Sequence, residues 1–310
     1  MEKFKSILYV TEENGDQSSA IARAVSMAEK NQASLMILDV IQPLMGDYMG
    51  EMVQMRNEFI TSLVKPFSQH FKIKHKVIVG KAFLEVIREV LRNKHDLVMK
   101  PAENPVFLKR LFGSTDIHLL RKCPCPVWIM KLPEKSQYRS IMAAVGFTPL
   151  EISGEEDALN REILDQACSL ALTDSASLHV IHAWEAFSAK YIRSRGDKTH
   201  EDMAVYVEKD RSLHQNGLNK LMDQLSERIG RNVYQKLSLH LHLPQGDAQK
   251  LIPELSASQQ ADLVVMGTVA RTGIPGMIIG NTAEAVLDQL DCSVLAVKPS
   301  GFVTPVRLDM

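Results

Sequence analysis

The chain has 310 residues, 45% of them apolar and 24% charged, with a formal net charge of -1. That is enough for two domains with cores of their own, and the balanced charge carries no footprint of a nucleic-acid or membrane-surface partner. No run of about 18 apolar residues is present to span a bilayer, and the start MEKFKSILYV lacks the apolar segment and cleavage site of a secretory signal. The four cysteines, Cys123, Cys125, Cys168 and Cys292, are few for this length and read as reduced thiols of a cytoplasmic protein.

In chain order the first element is an apolar strand, KSILYVTEE at 5–13. A helix follows in which Ile21, Ala24, Val25 and Ala28 form one apolar stripe, with Ser18 and Ser19 placed as its N-cap. The strand SLMILDVI comes next. The pattern then predicts a long helix over 48–71, a strand over 72–79, a turn at Gly80, a helix over 83–94 and a strand over 96–99. The segment 112–131, FGSTDIHLLRKCPCPVWIMK, supplies a last helix and strand. A short polar join, LPEKSQY at 132–138, leads to RSIMAAVGF at 139–147, which resembles the opening strand.

The order then repeats. Ile163, Ala167, Leu170 and Ala171 make the second stripe, SLHVIHA the second strand, and 198–228 the long helix. A strand over 233–243, a turn at Gly246, a helix over 248–259 and a strand over 262–266 complete the set. The segment 279–298, IGNTAEAVLDQLDCSVLAVK, overlays 112–131 without a gap: Gly280 falls on Gly113, Thr282 on Thr115, Cys292 on Cys125 and Lys298 on Lys131. Near-continuous apolar strands alternating with helices predict parallel sheets covered on both faces, two doubly wound α/β layers. The domain limits read as 1–133 and 138–299, with 300–310 a tail.

The segments HDLVMK, DIHLLRKCPCPVW, GTVARTG, GNTAEAVLDQL and TPVRLD, taken with the duplication, resemble the universal stress protein family in its tandem, E-type form. The resemblance covers essentially the whole chain. It implies a five-stranded sheet of order 3-2-1-4-5 in each half. It also implies that the halves pair about a pseudo-twofold axis through their last strands, an internal pseudo-dimer. Pairing PVWIM with SVLAV would remove two exposed apolar edges.

The stretch GTVARTGIPGMIIGNT at 267–282 runs from a strand into a helix, where α/β proteins hold phosphates. ATP-binding members of the family carry Gly-x2-Gly-x9-Gly-Ser/Thr. Here Gly267 keeps the first glycine, Ala270 replaces the second, and Gly280 keeps the third, followed by Asn281 and Thr282. The resemblance therefore implies a candidate adenine-nucleotide site at Met266, Gly267, Thr268, Ala270, Arg271, Gly280, Asn281, Thr282 and Ala283, for ATP or AMP, with Mg²⁺ accompanying ATP. The first free N–H groups of the helix at Asn281, Thr282 and Ala283 suit anionic oxygens. The family's acidic residue after the first strand is Gly146 here, and its usual Pro is Ala144.

In the first half Lys100 and Glu103 replace the first two glycines, with Pro101 and Pro105 in the loop. Gly113-Ser114-Thr115 survives at the helix start but is followed by Asp116, which repels a phosphate. Glu12 holds the acidic position. This half reads as having lost nucleotide binding.

Other motifs read as structure. His240 and His242 share one face of a strand whose other face is Leu239, Leu241 and Leu243; two ligands make no zinc site, and a polar strand face is expected. Cys123-Pro-Cys125-Pro reads as small apolar packing, with a redox role the lesser alternative. Met45, Met49, Met52 and Met55 on or beside the first long helix suit adaptable packing, with an apolar ligand groove the alternative. The charged segment 184–214 reads as a loop followed by a helix, either a surface insertion or a lid. No metal site, no catalytic residue, no nucleophile elbow and no P-loop motif is found.

The function these readings favour is a stress-response nucleotide-binding protein. The alternatives are a nucleotide-free scaffold acting through protein partners and a slow ATP hydrolase. Association into a further homodimer stays open.

Overall fold

The computed structural model describes residues 4–13, 15–43, 48–103, 115–149, 154–186, 200–268 and 280–308. The first strand, β1 (Ser6–Val10), carries Ile7, Leu8 and Tyr9 with no exposure, as a strand covered on both faces must. It pairs in parallel with β2 (Ser34–Ile41) on one side and β4 (Leu97–Pro101) on the other. Beyond β2 lies β3 (Ile73–Val79), and beyond β4 lies β5 (Val127–Met130), so the first half has the expected order 3-2-1-4-5. Beyond β5 the last strand of the chain, β10 (Ser293–Val297), pairs antiparallel, with Leu295 opposite Trp128.

The helices around these strands are α1 (Ser18–Asn31), α2 (Met49–Val64), α3 (Ala82–Asn93), α4 (Thr115–Lys122) and, from the second half, α9 (Asn281–Leu287). The predicted stripe of α1 is buried at Ile21, Ala24, Val25 and Ala28. Its start differs from the serine cap expected. Gln17 is the N-cap residue, the Ser18 N–H donates to Asp16 Oδ1 at 2.9 Å, and Ser18 and Ser19 lie within the helix. The Ser19 hydroxyl is instead taken by the join, accepting the Glu134 N–H at 2.9 Å. The helix predicted over 48–71 ends at Val64, with turns beyond.

The chain divides into two compact units that do not follow the sequence halves. One is built from residues 2–138 with 268–310, and the other from 139–267. The second unit holds four parallel strands in the order β8-β7-β6-β9: β6 (Ser140–Ala144), β7 (Ser177–Ile181), β8 (Ser238–His242) and β9 (Leu263–Gly267). Its helices are α5 (Gly154–Asp174), α6 (His200–Ile229), α7 (Arg231–Tyr234) and α8 (Ala248–Ser258). Ile163, Ala167, Leu170 and Ala171 of α5 are buried as their spacing predicts. The strand expected over 233–243 begins only at Ser238, because Gly230 at φ 84° starts the short helix α7 over the polar residues that precede it. Helix α6 begins at His200; residues 187–199 of the segment expected as a loop or lid fall outside the described residues, as does Met45.

The duplication shows in small devices. Asp96 accepts the N–H groups of Lys5 and Ser6 at 2.6 and 3.0 Å, and Asp262 accepts those of Arg139 and Ser140 at 2.6 and 3.1 Å. Each carboxylate thus fixes the start of its half's first strand from the residue preceding the fourth.

The join 132–138 is packed rather than merely polar. Glu134 is buried and accepts from the Ser293 hydroxyl at 2.7 Å, and Arg23 Nη1 donates to the Ser136 carbonyl at 2.8 Å. The guanidinium of Arg23 lies over the rings of Tyr138 and Trp128, 4.5 and 5.5 Å from their centroids.

Trp128 is fully buried at the β5–β10 pair and stacks obliquely on Tyr138. Replacing Trp128 with Ala is expected to cost about 3–5 kcal/mol, read as a lowered urea midpoint by circular dichroism.

Candidate functional site

The candidate loop of the second half lies in sequence between β9 and α9. Ala270 and Arg271 lie outside the described residues. Met266 is buried in β9. Gly267 has a packing reason to be glycine: a Cβ there would come within 2.8 Å of Leu159 Cδ2 on α5. Thr268 is fully buried, its hydroxyl donating to the Leu120 carbonyl at 3.0 Å and accepting from Lys298 Nζ at 2.6 Å. The Thr268 carbonyl accepts the Gly280 N–H at 3.2 Å, which closes the base of the loop.

Gly280 is the N-cap of α9 with extended backbone, and no side chain caps the helix. Asn281 and Thr282 are exposed, Ala283 is buried, and Gly280 is half-buried. Among the described residues nothing accepts the N–H groups of Asn281, Thr282 and Ala283. Glu284 in the first turn is drawn to Arg121, 3.2 Å away.

The corresponding helix start in the first half is closed by the protein's own charges. The Thr115 N–H donates to Glu103 Oε2 at 2.8 Å, and the Glu103 N–H donates to Asp116 Oδ2 at 2.8 Å, a reciprocal cap of the kind that satisfies helix donors. Behind it Lys100, only 1% exposed, pairs with Asp116 at 2.7 Å and with Glu12, and also donates to the Pro101 carbonyl. Burial alone would lower the ammonium's pKa; Asp116 and Glu12 outweigh it and hold Lys100 above its usual value. A lysine thus lies where the motif has a glycine, and the Glu103 carboxylate takes a donor at the helix start. Gly113 and Ser114 lie outside the described residues.

Sequence reasoning missed the amides that brace both first-strand ends. Gln17 accepts the Glu12 N–H at 3.0 Å and donates to the Glu12 carbonyl at 2.6 Å. Asn160 does the same for Gly146, at 3.0 and 2.9 Å. Both amide residues are buried. The second pair spans 14 residues, so no local spacing announces it.

It also missed a third histidine. His179 on β7 stacks on His240 and His242, with centroids 4.8 and 5.3 Å away and ring planes 18° and 19° apart. Its Nδ1 lies 3.0 Å from His242 Nε2. Among the described residues no group of three such side chains is arranged to hold a metal ion. The strand is less evenly two-faced than expected, since Leu241 is 41% exposed at this end of the sheet. Burial first, and then the two neighbouring rings, push the His179 pKa down to about 4. A second pair, His182 Nε2 and His214 Nδ1 at 2.8 Å, is buried beneath Phe147.

A model of the universal stress protein family matches residues 3–131 and 138–298. The chain is 31% identical to universal stress protein E of Escherichia coli (strain K12), over 100% of this chain and 98% of that one. Among solved structures, a functionally unknown protein from Pseudomonas aeruginosa PAO1 is 27% identical, over 96% of this chain and 94% of that chain, with a TM-score of 0.67. A universal stress protein from Archaeoglobus fulgidus DSM 4304 shares the fold at 18% identity and a TM-score of 0.64, over 95% of this chain and 97% of that chain.

Two outcomes follow from these charges. Lys100→Met strands two carboxylates and is expected to cost about 3–5 kcal/mol in urea unfolding, much of it recovered when Glu12→Gln and Asp116→Asn are added. His179 titrates lower in the folded chain than its usual 6.5, so between about pH 6.5 and 4 the unfolded chain binds a proton that the folded chain refuses. Stability falls as pH drops through that window, and the urea midpoint of His179→Gln is expected to fall less steeply there.

Proposed function

The chain belongs to the universal stress protein family, and we propose that it is a stress-response binding protein with one adenine-nucleotide site, at the loop 267–283. The observation that supports this is the contrast between two helix starts that derive from one motif. The N-terminus of α4 is capped by Glu103 and backed by Lys100 and Asp116, whereas that of α9 has no cap among the described residues. Free N–H groups at a helix start are the natural partners of phosphate oxygens.

In this reading the donors are the N–H groups of Asn281, Thr282 and Ala283, with the Asn281 amide and Thr282 hydroxyl beside them. Arg271 adds charge, and Met266, Gly267 and Ala270 shape the approach. The ligand is ATP or AMP, with Mg²⁺ accompanying ATP. The role of Thr268 is narrowed by the structure to its backbone, because its hydroxyl is engaged with Leu120 and Lys298. Binding rather than turnover is proposed, since no residue is assigned as a general base.

A specific observation also favours the nucleotide-free scaffold. Gly267 and Thr268 both have structural reasons to be what they are, in Leu159 and in the Lys298 contact. Titration calorimetry separates the readings. ATP and AMP with Mg²⁺ are expected to bind the parent and to lose at least about tenfold in affinity to Gly280→Asp, which sets a carboxylate against the phosphates at the helix start. No heat and no thermal shift at millimolar nucleotide would leave the scaffold reading in its place.

A further inference from the structure

Cys123 closes α4, its N–H donating to the Leu119 carbonyl at 2.9 Å, and Cys125 stands two residues on, immediately before β5 begins. Pro124 and Pro126 hold the backbone of this short connection stiff. The two side chains converge, with their sulfurs 3.6 Å apart. Cys123 has no exposure and Cys125 is 8% exposed, so Cys125 marks the side nearer solvent.

Burial by itself makes cysteines inert. What sets this pair apart is Lys298. Its ammonium is buried, donates to the Leu120 carbonyl and to Thr268 Oγ1, and has no carboxylate partner among the described residues. A buried cation without an anion is costly. Both sulfurs lie within its electrostatic reach. Lys131, the matching residue of the first half, lies in a different setting: it pairs with Asp291 at 2.6 Å near the surface.

The titration of these groups agrees with the geometry. Burial would push the Cys123 thiol up, but the hydrogen bond from Cys125 and the charge of Lys298 outweigh it and bring it below its usual value. Burial lowers Lys298 to about 8, with the cysteines pulling it back up. At Cys168 burial, followed by Asp165, outweighs the charge of Arg228 and pushes the thiol up to about 12.

We propose that Cys123 and Cys125 form a redox-active dithiol that hydrogen peroxide oxidises to a disulfide, with Lys298 as the buried cation that stabilises the attacking thiolate. The Cys123 thiolate attacks one peroxide oxygen and the O–O bond breaks. The sulfur is oxidised to a sulfenic acid, and the departing hydroxide takes the proton released from the Cys123 thiol to leave as water. The Cys125 sulfur then attacks Cys123; the S–O bond breaks, a second water leaves with the Cys125 proton, and the S–S bond forms. Two thiols and one peroxide give one disulfide and two waters.

The full-length protein tests this without any nucleotide. Trypsin releases residues 123–131 as one peptide that carries both cysteines and no others. After brief peroxide exposure and alkylation, that peptide is expected to have lost two hydrogens, while Cys168 stays fully alkylated. Cys125→Ser is expected to halt at the Cys123 sulfenic acid, trapped by dimedone, and Lys298→Met to slow the oxidation at pH 7 about tenfold or more. The parent's own rate against pH is expected to be half-maximal below the value of about 8.5 that an ordinary thiol has. That profile decides the matter even where a variant fails to fold. Recovery of the peptide with two alkylated thiols, oxidation of Cys168 at the same rate, or a midpoint at or above about 8.5 would overturn the proposal.

Discussion

The antiparallel pairing of β5 with β10 governs what the rest of the molecule can do. Each half of the duplicated sequence ends in a strand whose far side has no partner from its own half, and an apolar edge of that kind templates aggregation unless it is covered. Setting Leu295 against Trp128 covers both at once. The consequence is that residues 268–310 join the unit of the first half, and the chain divides between Gly267 and Thr268 as well as at the end of the join. Lys298, one residue beyond β10, is thereby placed among Leu120, Cys123 and Cys125, which belong to the other half by sequence.

Duplication followed by divergence explains why two copies of one motif behave differently. The scaffolding was kept: Asp96 and Asp262 hold the first strands by the same two N–H groups, and Gln17 and Asn160 brace the first-strand ends by the same two-way amide contact. What changed is the charge at the helix start. In the first half a lysine, two carboxylates and a reciprocal backbone cap satisfy one another. Such a cluster is self-sufficient, and an incoming phosphate would meet Asp116 and Glu103 where it needs N–H donors. In the second half Gly146, Gly267, Ala270 and Ala283 stand at the positions of Glu12, Lys100, Glu103 and Asp116, and among the described residues nothing accepts the first N–H groups of α9.

The parts of this architecture that were legible in the sequence are those set by local periodicity or direct self-comparison. The stripes Ile21–Ala28 and Ile163–Ala171 bury as their spacing requires, and the pairing of the last strands is the one that the family resemblance implies and that covering the apolar edges PVWIM and SVLAV favours. Less legible were contacts in which a polar residue serves a distant backbone. Ser18 and Ser19 look like a cap, yet Asp16 takes the free N–H and the Ser19 hydroxyl serves Glu134, 115 residues on. His179 is 63 residues from His242, and only the register of β7 against β8 brings them together. The strand over 233–243 was overextended because Val233 and Tyr234 favour strands, and the turn set by Gly230 overrides that local preference.

Thr268 shows why motif and mechanism have to be separated. By sequence it follows the first glycine of a nucleotide signature and reads as a ligand contact. In the fold its side chain is the partner of a buried lysine, and the glycine before it makes room for Leu159. A ligand at this loop must therefore rely on backbone donors and on side chains beyond Thr268, because withdrawing the threonine hydroxyl would cost Lys298 one of its two hydrogen-bond acceptors in a place without water. The two halves thus place a buried lysine differently: Lys100 stands at the position that Gly267 takes in the second half, whereas Lys298 holds the hydroxyl of Thr268, the residue after that glycine.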